Sequence, residues 1–198
     1  MASRHQRVAA LIEEQMLDAI LFFGAGTFST DVYWLTDWPG GRETYVLFQA
    51  GAEPLVITQL YNHVPMARVL SVIRDVRWAG ANTAATMSAI LAERGLSGKN
   101  VGLVGSIPYR HYLRFTEDHP DCAFTDVGNG FRMMRTIKRP EEIARLRKAS
   151  ELTDQSIAAV AEGLTAGMRE DEIPYLIEPV YLKAGGTAGI HFMTSMPM

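Results

Sequence analysis

The amino-acid sequence predicts an α/β protein: a layered amino-terminal domain built on a mixed sheet, followed by the first helices and strand of an α+β region. Three observations carry this. Short apolar runs alternate with segments of helical periodicity as far as Val127, the pattern of a layered α/β domain. Two of these runs, 44–49 and 55–57, are separated only by Ala50-Gly51-Ala52-Glu53-Pro54 and read as a hairpin, so the sheet mixes strand directions. From Arg135 to Ala149 the chain changes character, from short buried strands to long amphipathic helices. That change divides the chain into a domain of residues 1–130 and a second, incomplete region of residues 131–198.

The elements follow in order. Val8, Leu11, Ile12 and Met16 keep helical spacing against Arg4, Arg7, Glu13 and Glu14, which predicts an amphipathic helix over 3–16. Ala19-Ile20-Leu21-Phe22-Phe23 is a continuous apolar run, as for a strand buried on both faces. Gly24-Ala25-Gly26-Thr27-Phe28-Ser29 imitates two thirds of a dinucleotide fingerprint, but it lacks the third glycine, a long following helix and an acidic end to the next strand, which closes in Gln49. It reads as a tight structural turn. Asp31 caps a short helical turn in which Trp34 and Leu35 form a hydrophobic plug. The loop Trp38-Pro39-Gly40-Gly41-Arg42 is too rich in Pro and Gly to be regular. Loop side chains more often serve binding than packing, which makes Trp38 and Arg42 candidate substrate contacts.

Beyond the hairpin, 59–70 reads as helical with a break near Pro65, and 72–78 alternates as a strand. A helix over 83–94 has Thr83 as its cap, Met87, Ile90 and Leu91 as its apolar face, and Gly95 as its stop. Val101–Val104 is another buried strand, Pro108 opens a helix through Tyr112 and Leu113, and 122–127 is the last strand of the set. Then Pro140 stands where a first helical turn tolerates a residue without N–H, Glu141 and Glu142 place negative charge at the positive helix end, and a long helix runs to Gly163. Ile143, Leu146, Thr153, Ile157, Val160 and Leu164 lay one stripe along one face of it. A second helix is predicted over 169–184, kinked at Pro179, and 187–198 reads as an apolar strand leading into a turn.

Composition excludes several function classes. With 47% hydrophobic and 21% charged residues and a net charge of −3, the chain is ordinary globular protein without a basic field for nucleic acid or a polybasic run for a membrane surface. No apolar run approaches the roughly 20 residues of a membrane span, no signal-peptide core is present, and the one cysteine makes no internal disulfide. Neither nucleic acid nor membrane is an expected partner, and a cytoplasmic setting is the default. His5, His111 and His119 sit among charged neighbours and read as exposed and inert, and His63 has no second ligand at i+4. By spacing alone there is no metal site.

Arg135-Thr136-Ile137-Lys138-Arg139-Pro140-Glu141-Glu142-Ile143, the Ala-rich helix after it, and Ala166-Gly167-Met168 with Glu170, Glu172 and Ile173 together resemble the opening of the catalytic domain in the aminopeptidase P, prolidase and creatinase family, the pita-bread metallopeptidases. Upstream, Asp18-Ala19-Ile20-Leu21 and Val32-Tyr33-Trp34-Leu35-Thr36-Asp37-Trp38 resemble that family's amino-terminal domain. The resemblance implies a hydrolase of Xaa-Pro peptides or creatine-like molecules, using two divalent ions (Mn, Co or Zn) to activate a bridging water. It implies a homodimer in which the loop from Trp38 to Arg42 lines the neighbouring subunit's site, with Arg42 presenting a guanidinium fork to the substrate carboxylate. His191, before the expected turn, is a third candidate for lining the site. The family's two Asp, one His and two Glu metal ligands and its catalytic His have no counterpart here, so no metal ligand and no catalytic residue is assigned. A non-catalytic binding module of the same architecture is the alternative.

Overall fold

The computed structural model describes residues 2–26, 29–187, 189 and 191. They divide into two compact units, 1–136 and 137–198.

The first unit is built on six strands: β1 (Ala19–Gly24), β2 (Thr44–Gln49), β3 (Leu55–Thr58), β4 (Asp75–Trp78), β5 (Asn100–Val104) and β6 (Ala123–Asp126). They lie in the order β4-β3-β2-β1-β5-β6. Only β2 runs against its neighbours. It pairs antiparallel with β1 and β3, whereas β3 with β4, β1 with β5 and β5 with β6 are parallel. The sheet is therefore mixed, and the hairpin lies where the sequence places it. The apolar runs are continuous because both faces are covered. Ile20, Phe22, Val46, Phe48 and Val56 point into one core, and Ala19, Leu21, Phe23, Tyr45, Leu47, Leu55 and Ile57 point into the other.

The helices of this unit are α1 (Ala2–Glu14), α2 (Thr30–Thr36), α3 (Val64–Leu70), α4 (Thr83–Glu93), α5 (Tyr109–Asp118) and α6 (Gly128–Met134). Val8, Leu11 and Ile12 of α1, Val32 and Leu35 of α2, Val64 and Ala67 of α3, and Phe131 of α6 fill the first core. Met87, Ile90 and Leu91 of α4 and Phe115 of α5 fill the second. Three local expectations change. The segment 59–70 breaks at a 3-10 turn over Tyr61–His63, so Pro65 falls in the first turn of α3, where its missing N–H costs nothing. The cap of α4 is Asn82, whose side chain accepts from Ala85 N at 3.0 Å, and Thr83 is buried one residue further in. The strand over 72–78 is shorter, β4 beginning at Asp75.

In the second unit α7 (Pro140–Gly163) packs on α8 (Pro174–Lys183). Glu142 accepts from Arg139 N at 2.9 Å and so caps α7 where sequence places its start. Gly163 allows a close approach: a β-carbon there would lie 2.8 Å from Leu176 Cδ2 of α8, so the leucine would have to shift. The apolar stripe predicted on α7 is not its packing face, since Leu146 and Ile157 are 57% and 64% exposed while Ser156 is buried. The helix predicted from 169 begins at Pro174 after a 3-10 turn over Glu170–Glu172, and it continues through Pro179. The final predicted strand lies largely outside the described residues.

Candidate functional site

The loop between α2 and β2 is fixed from within. Asp37 closes α2 with φ 57°, a left-handed turn that reverses the chain. Thr36 Oγ1 donates to Val32 O at 2.7 Å and accepts from Trp38 N at 2.9 Å, and Thr36 O accepts from Val72 N at 2.9 Å. Arg4 Nη1 donates to Trp34 O at 2.8 Å and pairs with Asp37 Oδ1 at 3.2 Å. The reversal turns Trp38 inward. It is only 4% exposed and belongs to the core with Trp34 and Leu35, so the chain uses this aromatic for packing and presents no exposed aromatic cluster in the loop.

The Trp38 ring meets the His63 ring edge-on, centroids 6.0 Å apart, and the His63 imidazole lies against Gly41, where a β-carbon would come within 2.4 Å of Cε1. Any side chain at Gly41 displaces the histidine. Trp38 Nε1 and His63 Nδ1 are buried without a hydrogen-bond partner among the described residues. Arg42, next along, is exposed, and no ion pair holds it among the described residues. The loop therefore presents a guanidinium without an ion pair among the described residues, beside the closely packed Trp38, Gly41 and His63.

His191, in the second unit, lies with Nε2 3.2 Å from Tyr181 Oη and 3.3 Å from Glu178 Oε1 of α8. It is committed locally to α8. Among the described residues no three His, Cys, Asp or Glu side chains converge to hold a metal ion, so these residues do not fit a two-metal centre and no hydrolytic step is derived through one. Nor is a phosphate loop needed to explain Gly24: a β-carbon there would lie 2.4 Å from Ser29 Oγ.

Two histidines expected to be exposed are buried. His111 and His119 are 9% and 5% exposed and flank Phe115 at steps of four, so the three form the inward row of α5 and its cap. That spacing was the available signal. His119 meets Ser88 Oγ and Ser97 Oγ at 3.1 Å each, and Ser88 Oγ donates to Asp118, an interaction that, ahead of the adjacent Arg114, holds the Asp118 carboxyl below its usual range. His111 Nδ1 lies 2.9 Å from the Tyr45 hydroxyl, and its Nε2 lies 3.9 Å from Glu43 Oε1. Burial, with the Glu43 charge second, pushes the Tyr45 phenol far above its ordinary value, so it stays protonated. Glu43 and His111 edge a cavity of about 480 Å³ whose lining also includes Gln59, Asn82 and Arg110.

Residues 4–137 match the family described as the Creatinase/Prolidase N-terminal domain. Over 80 residues, 40% of this chain and 23% of the relative, the sequence is 30% identical to the Xaa-Pro dipeptidase of Pyrococcus furiosus. The structure resembles the X-Pro aminopeptidase of Thermotoga maritima with a TM-score of 0.77 at 20% identity, over 91% of this chain and 49% of that one. It resembles the prolidase of Pyrococcus horikoshii with a TM-score of 0.69 at 22% identity, over 93% and 49%. The chain thus spans about half the length of these solved enzymes. At such identities the structures speak for the fold, and the family match over 4–137 speaks for descent: the chain belongs to the creatinase/prolidase amino-terminal domain family.

Proposed function

We propose that this chain is the amino-terminal part of a hydrolase acting on Xaa-Pro peptides, and that it contributes dimerisation and the lining of a substrate site rather than the reacting groups. The observation that carries the reading is the family match over 4–137 joined to a likeness that continues through α7 and α8 in whole Xaa-Pro enzymes. The loop geometry supports a lining role. A guanidinium donates two parallel bonds to a carboxylate, and Arg42 is an exposed cation with no ion pair among the described residues, on a loop whose base is too closely packed to drift. In this reading Arg42 reaches a peptide carboxylate in the site of a second subunit, Trp38 and His63 hold the loop in place, and His191 lines the catalytic unit. The metal ions belong to the whole protein, with a cytoplasmic setting and no nucleic-acid or membrane partner.

The test is hydrolysis of Ala-Pro by the whole protein and its Arg42→Ala variant. A charge-assisted bond is worth about 1.5–3 kcal/mol, so KM should rise by roughly tenfold or more with kcat changed little. An unchanged KM in a folded variant removes Arg42 from the site. Absence of Xaa-Pro hydrolysis by the whole protein, with metal supplied, favours the non-catalytic module.

A further inference from the structure

The cavity beside His111 lies outside the carboxyl ends of the parallel strands. Gln59 directly follows β3, Asn82 and Thr83 follow β4, Arg110 and His111 follow β5, and Glu43 immediately precedes the reversed strand β2. Open α/β sheets bind ligands at this edge, because loops and helix N-termini converge there without side chains of the sheet filling the space. At about 480 Å³ the cavity is within the usual range for small-molecule sites, roughly 300–1,000 Å³.

Of the charged side chains that line it, Arg114 is spent on Asp118, whereas Glu43, Arg110 and Glu117 make no side-chain hydrogen bond among the described residues. The Glu43 side chain is 25% exposed, yet its carboxylate has no hydrogen bond among the described residues, and its nearest cationic candidate, His111 Nε2, stands 3.9 Å away. A carboxylate so withdrawn from water ordinarily gains a donor. Arg110, which also lines the cavity, has no ion pair among the described residues, whereas its neighbour Arg114 is held by Asp118 at 2.6 Å. Glu43 and Arg110 share the cavity without pairing with one another. His111 is oriented from behind. The Tyr45 hydroxyl lies 2.9 Å from Nδ1 and holds the ring so that Nε2 faces Glu43. At the floor, the Asn82 side chain takes the Ala85 amide, and the amides of Thr83 and Ala84 open α4 without intrahelical acceptors.

We infer that this cavity binds the zwitterion of a free α-amino acid, with its ammonium group on Glu43 and its carboxylate on Arg110 and the Thr83 and Ala84 amides. A simple anion would leave Glu43 unpaired and repelled, and a simple cation would leave Arg110 so; a molecule carrying both charges satisfies both groups. The inference stands on the cavity alone and needs no hydrolytic activity.

The test is a titration of the chain, followed by amide chemical shifts, with L-alanine, N-acetyl-L-alanine, which lacks the cation, and L-alaninamide, which lacks the carboxylate. Saturable shifts around Glu43, Asn82 and His111 are expected with alanine at a dissociation constant on the order of 1–10 mM, and weakening by roughly tenfold or more with either blocked analogue. Glu43→Gln and Arg110→Gln should each weaken alanine by a similar factor, with circular dichroism and thermal midpoint unchanged; Arg110 is exposed on a helix, so that variant tests the site without disturbing a core. The inference is overturned if alanine gives no saturable shift at about 100 mM, if N-acetyl-L-alanine binds as tightly as alanine, or if both folded variants keep the original affinity.

Discussion

Tyr45 shows how one residue ties the second core to the edge of the sheet. Its ring is fully buried against Phe23 and Phe115, and its hydroxyl holds His111. Because burial raises its folded pKa above the value near 10 of an unfolded tyrosine, the stability it contributes is complete below pH about 10 and is lost as pH rises beyond it, where the unfolded chain releases the proton first. Tyr45→Phe should therefore cost about 1 kcal/mol at neutral pH and flatten the loss of stability above pH about 10. Urea unfolding at a series of pH values checks both, and equal slopes for the two proteins would contradict the assignment. Sequence gave this residue a place in a strand and nothing more, because a hydrogen bond spanning 66 positions leaves no local pattern. Trp38 was misleading for a related reason. Its neighbours Pro39, Gly40 and Gly41 mark a loop, and only the left-handed Asp37 before it turns the indole into the core.

At the scale of elements, the strands were the most legible, since a run such as Ala19–Phe23 is apolar on both faces and only a doubly covered strand needs that. Helix ends were less so. Asn82 and Thr83 are both good caps, and which one serves depends on the backbone leaving β4. On α7 the stripe of Ile143, Leu146 and Ile157 satisfies helical periodicity but stays exposed, while the contact with α8 runs through smaller residues including Gly163. The connection after β5 makes a sharper demand. Gly105 has φ +96°, and a β-carbon there would lie 2.1 Å from the Phe23 carbonyl oxygen, backbone that a side-chain rotation cannot move. Gly105→Ala should destabilise by about 2–4 kcal/mol, whereas Gly51→Ala, with positive φ but open space around it, should cost about 1 kcal/mol. Equal midpoints for the two variants in guanidinium would show that the close approach is not maintained.

Over the whole molecule, the alternation of strands and helices announced the layered class, but the order β4-β3-β2-β1-β5-β6 was not readable, because β4 and β5 are consecutive in sequence and three strands apart in the sheet. The change of pattern near Arg135 predicts a boundary at 130/131, whereas the two compact units divide at 136/137. That division is fixed by α6, whose Phe131 is buried in the first core, while Arg7 donates to Met134 O and Arg135 pairs with Asp31. Residues up to 136 thus pack as one unit, and trypsin should cut first after Lys138 rather than after Arg132, the Arg139–Pro140 bond being closed to it. First cuts within β5 would contradict a separable amino-terminal unit. If, as proposed, the chain lines a peptide site and the metal centre lies elsewhere in the whole protein, elemental analysis of the dialysed 198-residue chain and an Ala-Pro hydrolysis assay in added Mn, Co or Zn will find no stoichiometric metal and no hydrolysis. Metal bound in stoichiometric amount, with peptidase activity that a chelator abolishes, overturns that proposal.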